Sequence, residues 1–189
     1  KFMQRDFACY GHEPKGLWLH AASVAAGAKA LAKACKMSTN DAEQLFVGGL
    51  LHDIGKLLLV PHIVDHQKEL FAAPSITECE RRTIGIDHTE AGALVTAKWN
   101  LAADIQELIK GHHDDGAIPA TKPMAVVRLA DAVAHQCGVG YLPGKAPAPK
   151  VLPSDLTALG LTADSWSALR DDLSTTIDDA VAALGNLGT

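Results

Sequence analysis

Positive charge and aromatic side chains are both scarce in this sequence of 189 residues. It has 17 Lys and Arg against 22 Asp and Glu, a formal net charge of −5, and only 5% aromatic residues. Nucleic acids and anionic membranes attract basic surfaces, so this charge balance argues against either as a partner. The most apolar stretch, residues 45–64, is interrupted by His52, Asp53 and Lys56. No apolar run is therefore long enough to span a membrane, and we expect no membrane partner.

Cysteine is also sparse, and its spacing excludes two common motifs. The four cysteines lie far apart and form no Cys-x-x-Cys pair, so a zinc ribbon and a thioredoxin-like motif are both absent. Unpaired thiols are typical of a reducing compartment, which predicts a cytoplasmic location. Residues 1–5 lack the apolar core and cleavage site of a signal peptide. They resemble the interior of a helix, so we expect the chain to be a fragment of a longer protein.

Patterns typical of β-strands are missing. Alanine is abundant, β-branched residues are few, and apolar residues recur at the spacing of a helix face. The sequence therefore predicts an all-α fold. We expect one domain over residues 1–189, with a core at 17–138, a proline-rich loop at 139–153 and a C-terminal helix at 163–184. A single helix cannot form a core by itself, so that last helix is expected to pack back on the bundle.

Titratable residues interrupt the predicted apolar faces. His20, His52, His112 and Asp131 each occupy a position where an apolar residue is expected. A buried carboxylate is costly unless it meets a cation or hydrogen-bond donors, and a single buried histidine is usually a hydrogen-bonded core residue. A set of such residues on separate helices is better explained by one metal site that gathers them.

The segment from His52 to Lys56, His-Asp-Ile-Gly-Lys, is the most specific motif in the chain. On this motif the chain resembles the HD superfamily of metal-dependent phosphohydrolases, and within it the HDOD branch and its HD-GYP relatives. The other residues that carry the resemblance follow in the family's order: His20, His88 with Gly92 four residues later, His112-His113 and Asp131.

The resemblance implies an HD-domain helical bundle with a site for two metal ions in its centre. The ligands it implies for one ion are His20, His52, Asp53 and Asp131; those for the second are His88, His112 and His113, with Asp53 as the bridge. Imidazole and carboxylate ligands suit two divalent ions of iron, manganese, nickel or zinc. Asp53 and Lys56 are the predicted catalytic residues. Lys56 is placed to meet a substrate phosphate, and a solvated lysine is the alternative interpretation.

Three functions are consistent with this resemblance. The first is hydrolysis of a small-molecule phosphate ester, a nucleotide or a related compound, by a metal-bound hydroxide. The second is a catalytically silent HDOD module in bacterial signal transduction, with a signalling protein as partner. The third is a di-iron oxygenase similar to myo-inositol oxygenase. The Gly-Tyr-Pro motif of the HD-GYP branch is absent, since Ala117-Ile118-Pro119 follows the histidine pair, and this argues against cyclic-di-GMP as substrate.

The remaining histidines carry weaker signals. His62 and His66 lie four residues apart, and we interpret them as a solvated helix face rather than a ligand pair. His12 and His135 have no apparent partners in the sequence. Gly92, one helical turn after His88, predicts a close approach of another helix or of a ligand.

Overall fold

The computed structural model describes residues 7–114, 120–145, 147–148 and 150–185. Within these ranges the chain is helical and contains no β-strand, which confirms the all-α prediction. Residues 117–119, where the Gly-Tyr-Pro motif is missing, lie outside the described part. The helices are α1 (Gly16–Ala34), α2 (Thr39–Leu51), α3 (Lys56–Ile63), α4 (Gln67–Ala72), α5 (Ile76–Ile84), α6 (His88–Lys98), α7 (Ala103–Gly111), α8 (Lys122–Gln136), α9 (Pro153–Leu159) and α10 (Ala163–Gly185), with 3₁₀ turns at Ala8–Tyr10 and Val64–His66.

The main core lies where α1, α2, α8 and α10 meet. Every residue from Ala125 to Ala134 on α8 is buried, including Arg128 and Asp131. An apolar surface of this extent is the main source of the fold's stability, because burying apolar side chains is the dominant favourable term in folding. The polar residues held inside α8 must therefore find partners within the protein.

The C-terminal part of the chain contains one helix more than the sequence analysis predicted. α10 packs against α1 and α8 and buries Trp166, Leu173 and Ile177. α9 begins at Pro153, the last residue of the predicted loop, so the loop ends at Leu152. This helix is only seven residues long, too short to show two turns of apolar periodicity, and proline supports its first turn.

One stretch, residues 39–72, is long and apolar enough by composition to cross a membrane, and half of its most apolar window is buried in the protein. The stretch is divided: α2 ends at Leu51, a turn follows at 52–55, and α3 begins at Lys56. Residues 39–72 are therefore a series of packed helices in the bundle, and their central turn carries His52 and Asp53.

Gly55 and Gly92 allow α3 and α6 to approach backbone to backbone. A Cβ atom on Gly55 would overlap the carbonyl oxygen of His88 and lie 2.8 Å from the backbone nitrogen of Gly92. A Cβ atom on Gly92 would lie 2.8 Å from the side chain of Ile109 on α7. The close approach predicted at Gly92 is thus confirmed. Because no side chain separates these helices, the start of α6 brings His88 beside the His52-Asp53 pair.

Candidate metal centre

Helix ends supply most of the predicted ligands. His52 and Asp53 occupy the turn after α2, His88 is the first residue of α6, and His112 and His113 directly follow α7. His20 on α1 and Asp131 on α8 come from helix interiors. In the described part of the chain these residues form three groups, and within each group the ligand atoms lie within 4.8 Å of one another. The first group is Asp53, His88, His112 and His113, and the second is His20, His52 and Asp53. The third is His20, Asp131 and His135.

Asp53 lies at the centre of this arrangement. Its Oδ1 atom is 3.4 Å from Nε2 of His88 and 3.7 Å from Nε2 of His112. Its Oδ2 atom is 3.5 Å from Nε2 of His52. The two oxygens of one carboxylate thus face two different groups of imidazoles, which is the arrangement expected of a bridging ligand.

The tautomer of three of these imidazoles follows from the contact of the other ring nitrogen, Nδ1. Nδ1 of His52 and Nδ1 of His112 each lie 2.7 Å from the carbonyl oxygen three residues earlier in the chain. Nδ1 of His88 lies 2.7 Å from a carboxylate oxygen of Glu80. These oxygens only accept hydrogen bonds, so each Nδ1 carries the proton. In the neutral ring, Nε2 then holds a lone pair.

These lone pairs point towards a carboxylate that also only accepts hydrogen bonds. Oδ1 of Asp53, Nε2 of His88 and Nε2 of His112 are buried and have no hydrogen-bond partner. Leaving buried polar atoms unpaired costs about 1–3 kcal/mol each. A cation between them would satisfy all three atoms at once. The donor set therefore fits a divalent metal of the borderline class, for which imidazole and carboxylate are suitable ligands.

Asp131 organises the other side of the cluster. Its Oδ1 atom is 3.0 Å from Nε2 of His20 and 3.7 Å from Nε2 of His52. Burial alone would raise the pKa of the Asp131 carboxyl group, but the neighbouring histidines, His135 foremost, hold that pKa well below its usual range. Asp131 is therefore a carboxylate at neutral pH and a suitable ligand for a cation.

Lys56 is buried against Asp53 rather than solvated. Its Nζ atom lies 2.6 Å from Oδ2 of Asp53 and 5.6 Å from the ring centre of Tyr10. The alternative of a solvated lysine is therefore wrong. Burial would raise the pKa of Asp53, but the ammonium group of Lys56 and the surrounding histidines hold it well below its usual range.

Glu80 is a residue of the site that sequence reasoning missed. It is fully buried; Oε1 accepts a hydrogen bond from the Tyr10 hydroxyl at 2.6 Å, and Oε2 accepts one from the backbone N–H of His88 at 2.9 Å. Oε2 also accepts the bond from Nδ1 of His88. Burial would raise the pKa of Glu80, but His88 and the Tyr10 hydroxyl together lower that pKa. In the sequence, the adjacent arginines at 81 and 82 make Glu80 look like part of a solvated face.

The interpretation of His12 and His135 as histidines without partners was wrong. Nε2 of His135 is 3.5 Å from Oδ1 of Asp131, and its ring stacks on His20 with centroids 4.9 Å apart and planes at 9°. The buried ring of His12 lies 5.9 Å from that of His20. His135 follows Asp131 by four residues on α8, a spacing that places both on one helix face and could have identified it. His62, in contrast, is exposed.

A cavity of about 490 Å³ opens onto the cluster, a size within the range typical of small-molecule sites. Lys56, His112, His113, Asp131 and His135 belong to its lining. The lining also carries Arg128, which pairs with Asp155 at 3.4 Å, and the lysines at positions 145 and 150. The cavity therefore joins the candidate ligands to a wall of mixed charge.

The buried histidines predict that the metal-free protein loses stability in mild acid. Burial lowers the pKa of His52 to about 3 and that of His135 to about 4, from 6.5. Below pH 6.5 the unfolded chain binds protons that the folded chain does not, so the free energy of unfolding falls as the pH falls towards 4. Thermal denaturation of the metal-free protein should give a constant Tm above about pH 7 and a falling Tm between about pH 6.5 and 4. A Tm that is constant or rises across that window would contradict the neutral, buried state of these rings.

A comparison with family models identifies the group to which the chain belongs. The HDOD domain model matches residues 1–115, which is more than half of the 189 residues. The chain therefore belongs to the HDOD domain family, as the His-Asp-Ile-Gly-Lys motif predicted. The match ends before Asp131 and His135, so these two residues are placed in the cluster by the structure and not by the family model.

Solved structures share the fold. An HDOD domain protein of unknown function from Geobacter sulfurreducens is 24% identical, with a TM-score of 0.65 over 92% of this chain and 63% of that one. A "Putative phosphohydrolase" from Shewanella amazonensis is 19% identical, with a TM-score of 0.63 over 87% of this chain and 62% of that one. A "Putative signal transduction protein" from Marinobacter aquaeolei is 20% identical, with a TM-score of 0.66 over 90% of this chain and 38% of that one. The chain thus spans less than two thirds of each of these proteins, and the likeness concerns the fold alone. No curated protein matches the chain.

Proposed function

We propose that this HDOD domain is a metal-dependent phosphohydrolase that cleaves a small phosphate ester. The observation that carries the proposal is the set of buried lone pairs around Asp53. Nε2 of His88 and Nε2 of His112 face an oxygen of Asp53 without a proton between them. A cation would relieve that arrangement, and the distances leave room for one, since metal–nitrogen and metal–oxygen bonds are about 2.0–2.2 Å long.

Two groups of residues would hold the metal ions. His88, His112 and His113 with Oδ1 of Asp53 form one group, and His20 and His52 with Oδ2 of Asp53 and with Asp131 form the other. Bound divalent ions supply a nucleophilic water at neutral pH and stabilise negative charge on a phosphoryl group. The nitrogen and oxygen ligands favour iron, manganese, nickel or zinc.

The side chains of the protein have two roles in this proposal. The bonds from each Nδ1 to a carbonyl or to Glu80 keep the Nε2 lone pairs of His52, His88 and His112 directed towards Asp53, where they would hold the ions. The cavity would hold the phosphate ester, and Lys56 in its lining would attract the phosphate while it holds Oδ2 of Asp53 in place.

Metal analysis combined with a hydrolysis assay tests the proposal. The metal-free protein should take up about two equivalents of Mn²⁺, Fe²⁺, Ni²⁺ or Zn²⁺ and then hydrolyse bis-p-nitrophenyl phosphate or p-nitrophenyl phosphate. A chelator should stop the reaction, and metal should restore it. If the chain binds two ions and cleaves neither ester with any of these metals, the hydrolase proposal fails. Oxygen consumption by the iron-loaded protein in the same assay would instead indicate the oxygenase alternative.

A non-catalytic signalling module is the second candidate, and one observation favours it. Nζ of Lys56 lies 2.6 Å from Oδ2 of Asp53 and balances part of its negative charge. Less of that charge is then left to attract a second metal ion. In that case the metal is structural. Alanine at His88 would then lower Tm without changing the affinity for a signalling partner, and no ester would be hydrolysed.

A further inference from the structure

We propose that His135 is a metal ligand on the His20 side of the centre, where it binds an ion together with His20 and Asp131. This inference rests on the proposed function, because it assigns a further ligand to the same centre. Neither the sequence motif nor the family match, which ends at residue 115, includes this histidine.

The geometry of α8 carries the inference. Asp131 and His135 lie one helical turn apart on the same face, a spacing that lets two side chains bind one ion. Nε2 of His135 is 3.5 Å from Oδ1 of Asp131, and Nε2 of His20 is 3.0 Å from the same oxygen. These three ligand atoms lie within 4.8 Å of one another. Nε2 of His52 is 3.7 Å from the same oxygen of Asp131, so an ion bound here would be the ion on the His20 side of the centre.

The chemistry of imidazole limits how the ions share His20. A neutral ring nitrogen has one lone pair and binds one metal ion, whereas a carboxylate can bridge two. His20 belongs both to the group with His52 and to the group with His135. Nε2 of His20 would therefore bind a single ion that both groups share. His135 would add a nitrogen ligand for that ion to those of His20 and His52.

The Tyr141 hydroxyl lies 3.1 Å from Nε2 of His135, the same ring nitrogen that faces Asp131. An ion bound to Nε2 would take the place of this hydrogen bond, so the Tyr141 hydroxyl is not required for binding.

The test compares His135→Gln with the protein as it is. Metal-free samples are titrated with Co²⁺, whose visible absorption reports its ligands, and the bound metal is counted after dialysis. Glutamine keeps a hydrogen bond to Tyr141 but is a poor ligand for this ion, so His135→Gln should lose one ion or bind it about tenfold or more weakly. Tyr141→Phe should bind with unchanged or higher affinity. His62→Gln, at an exposed position, is the matched control and should bind as the unchanged protein does.

The outcomes separate this inference from the proposed function. If the unchanged protein binds no ion, both proposals fail. If it binds ions and His135→Gln binds the same number with the same affinity and spectrum, His135 is not a ligand, whereas the hydrolase proposal stands. Thermal denaturation of each metal-free variant shows whether it is folded. If His135→Gln is not folded, His135→Ala is titrated in its place. Loss or weakening of one ion then supports the inference, and unchanged binding overturns it.

Discussion

Replacing Asp53 with asparagine should remove hydrolysis and reduce the bound metal from about two equivalents to one or none. Asp53 is the only residue of the described part whose two carboxylate oxygens face both groups of imidazoles, with His88 on one side and His52 on the other. Asparagine keeps the shape but loses the charge and one acceptor. Changing a residue that only hydrogen-bonds to a metal ligand typically lowers metal affinity or activity about 10–100-fold. For the bridging ligand itself we expect metal affinity and activity to fall more than about 100-fold. Metal analysis and ester hydrolysis measure the two effects.

The variant also leaves Lys56 buried without its counter-charge, and this must be separated from the loss of metal. The double variant Asp53→Asn with Lys56→Met removes the unpaired ammonium group and should fold better than the single variant while remaining inactive. Asp65→Asn, at an exposed position, is the matched control and should keep both metal and activity. Hydrolysis by a folded Asp53→Asn protein within about tenfold of the normal rate would rule out Asp53 as the bridge.

The helical fold was predictable because its signal is local. Apolar residues recur every three or four positions in the long helices α1, α2 and α8, and tertiary packing needs only to match a pattern that is already present. α9 was missed because a seven-residue helix shows too little of that pattern. It packs against α8, a contact that its own sequence does not display.

The candidate site was predictable only to the extent that a motif recorded it. The His52-Asp53 doublet marked the centre, and histidines on apolar faces marked its surroundings. Glu80 escaped because its role depends on the close approach of α5 to the start of α6, which brings it to His88 eight residues later in the chain. His135 escaped because its partner His20 is distant in sequence. Glu80 is recognisable only once such contacts are known, whereas the four-residue spacing of His135 from Asp131 was a local signal.

Replacing Glu80 with alanine should destabilise the protein and weaken metal binding together. Glu80 is fully buried and accepts hydrogen bonds from the Tyr10 hydroxyl and from two groups of His88. Alanine leaves these donors unsatisfied in the interior, and breaking a buried charged interaction of this kind costs about 3–5 kcal/mol. His88 also loses the bond that keeps the proton on Nδ1, so metal affinity should fall about 10–100-fold. Chemical denaturation and Co²⁺ titration measure the two effects.

Glu80→Gln distinguishes the two contributions, because the amide oxygen can still accept from Nδ1 of His88 but has no charge. We expect it to recover most of the stability and only part of the metal affinity, since a carboxylate makes the imidazole a stronger ligand than an amide does. Glu78→Ala, on the same helix but exposed, should change neither quantity. Metal affinity that is unchanged in a folded Glu80→Ala protein would mean that Nε2 of His88 keeps its orientation without Glu80. The carboxylate would then support the core alone, and the lone pair aimed at Asp53 would depend on the packing of α6 against Gly55.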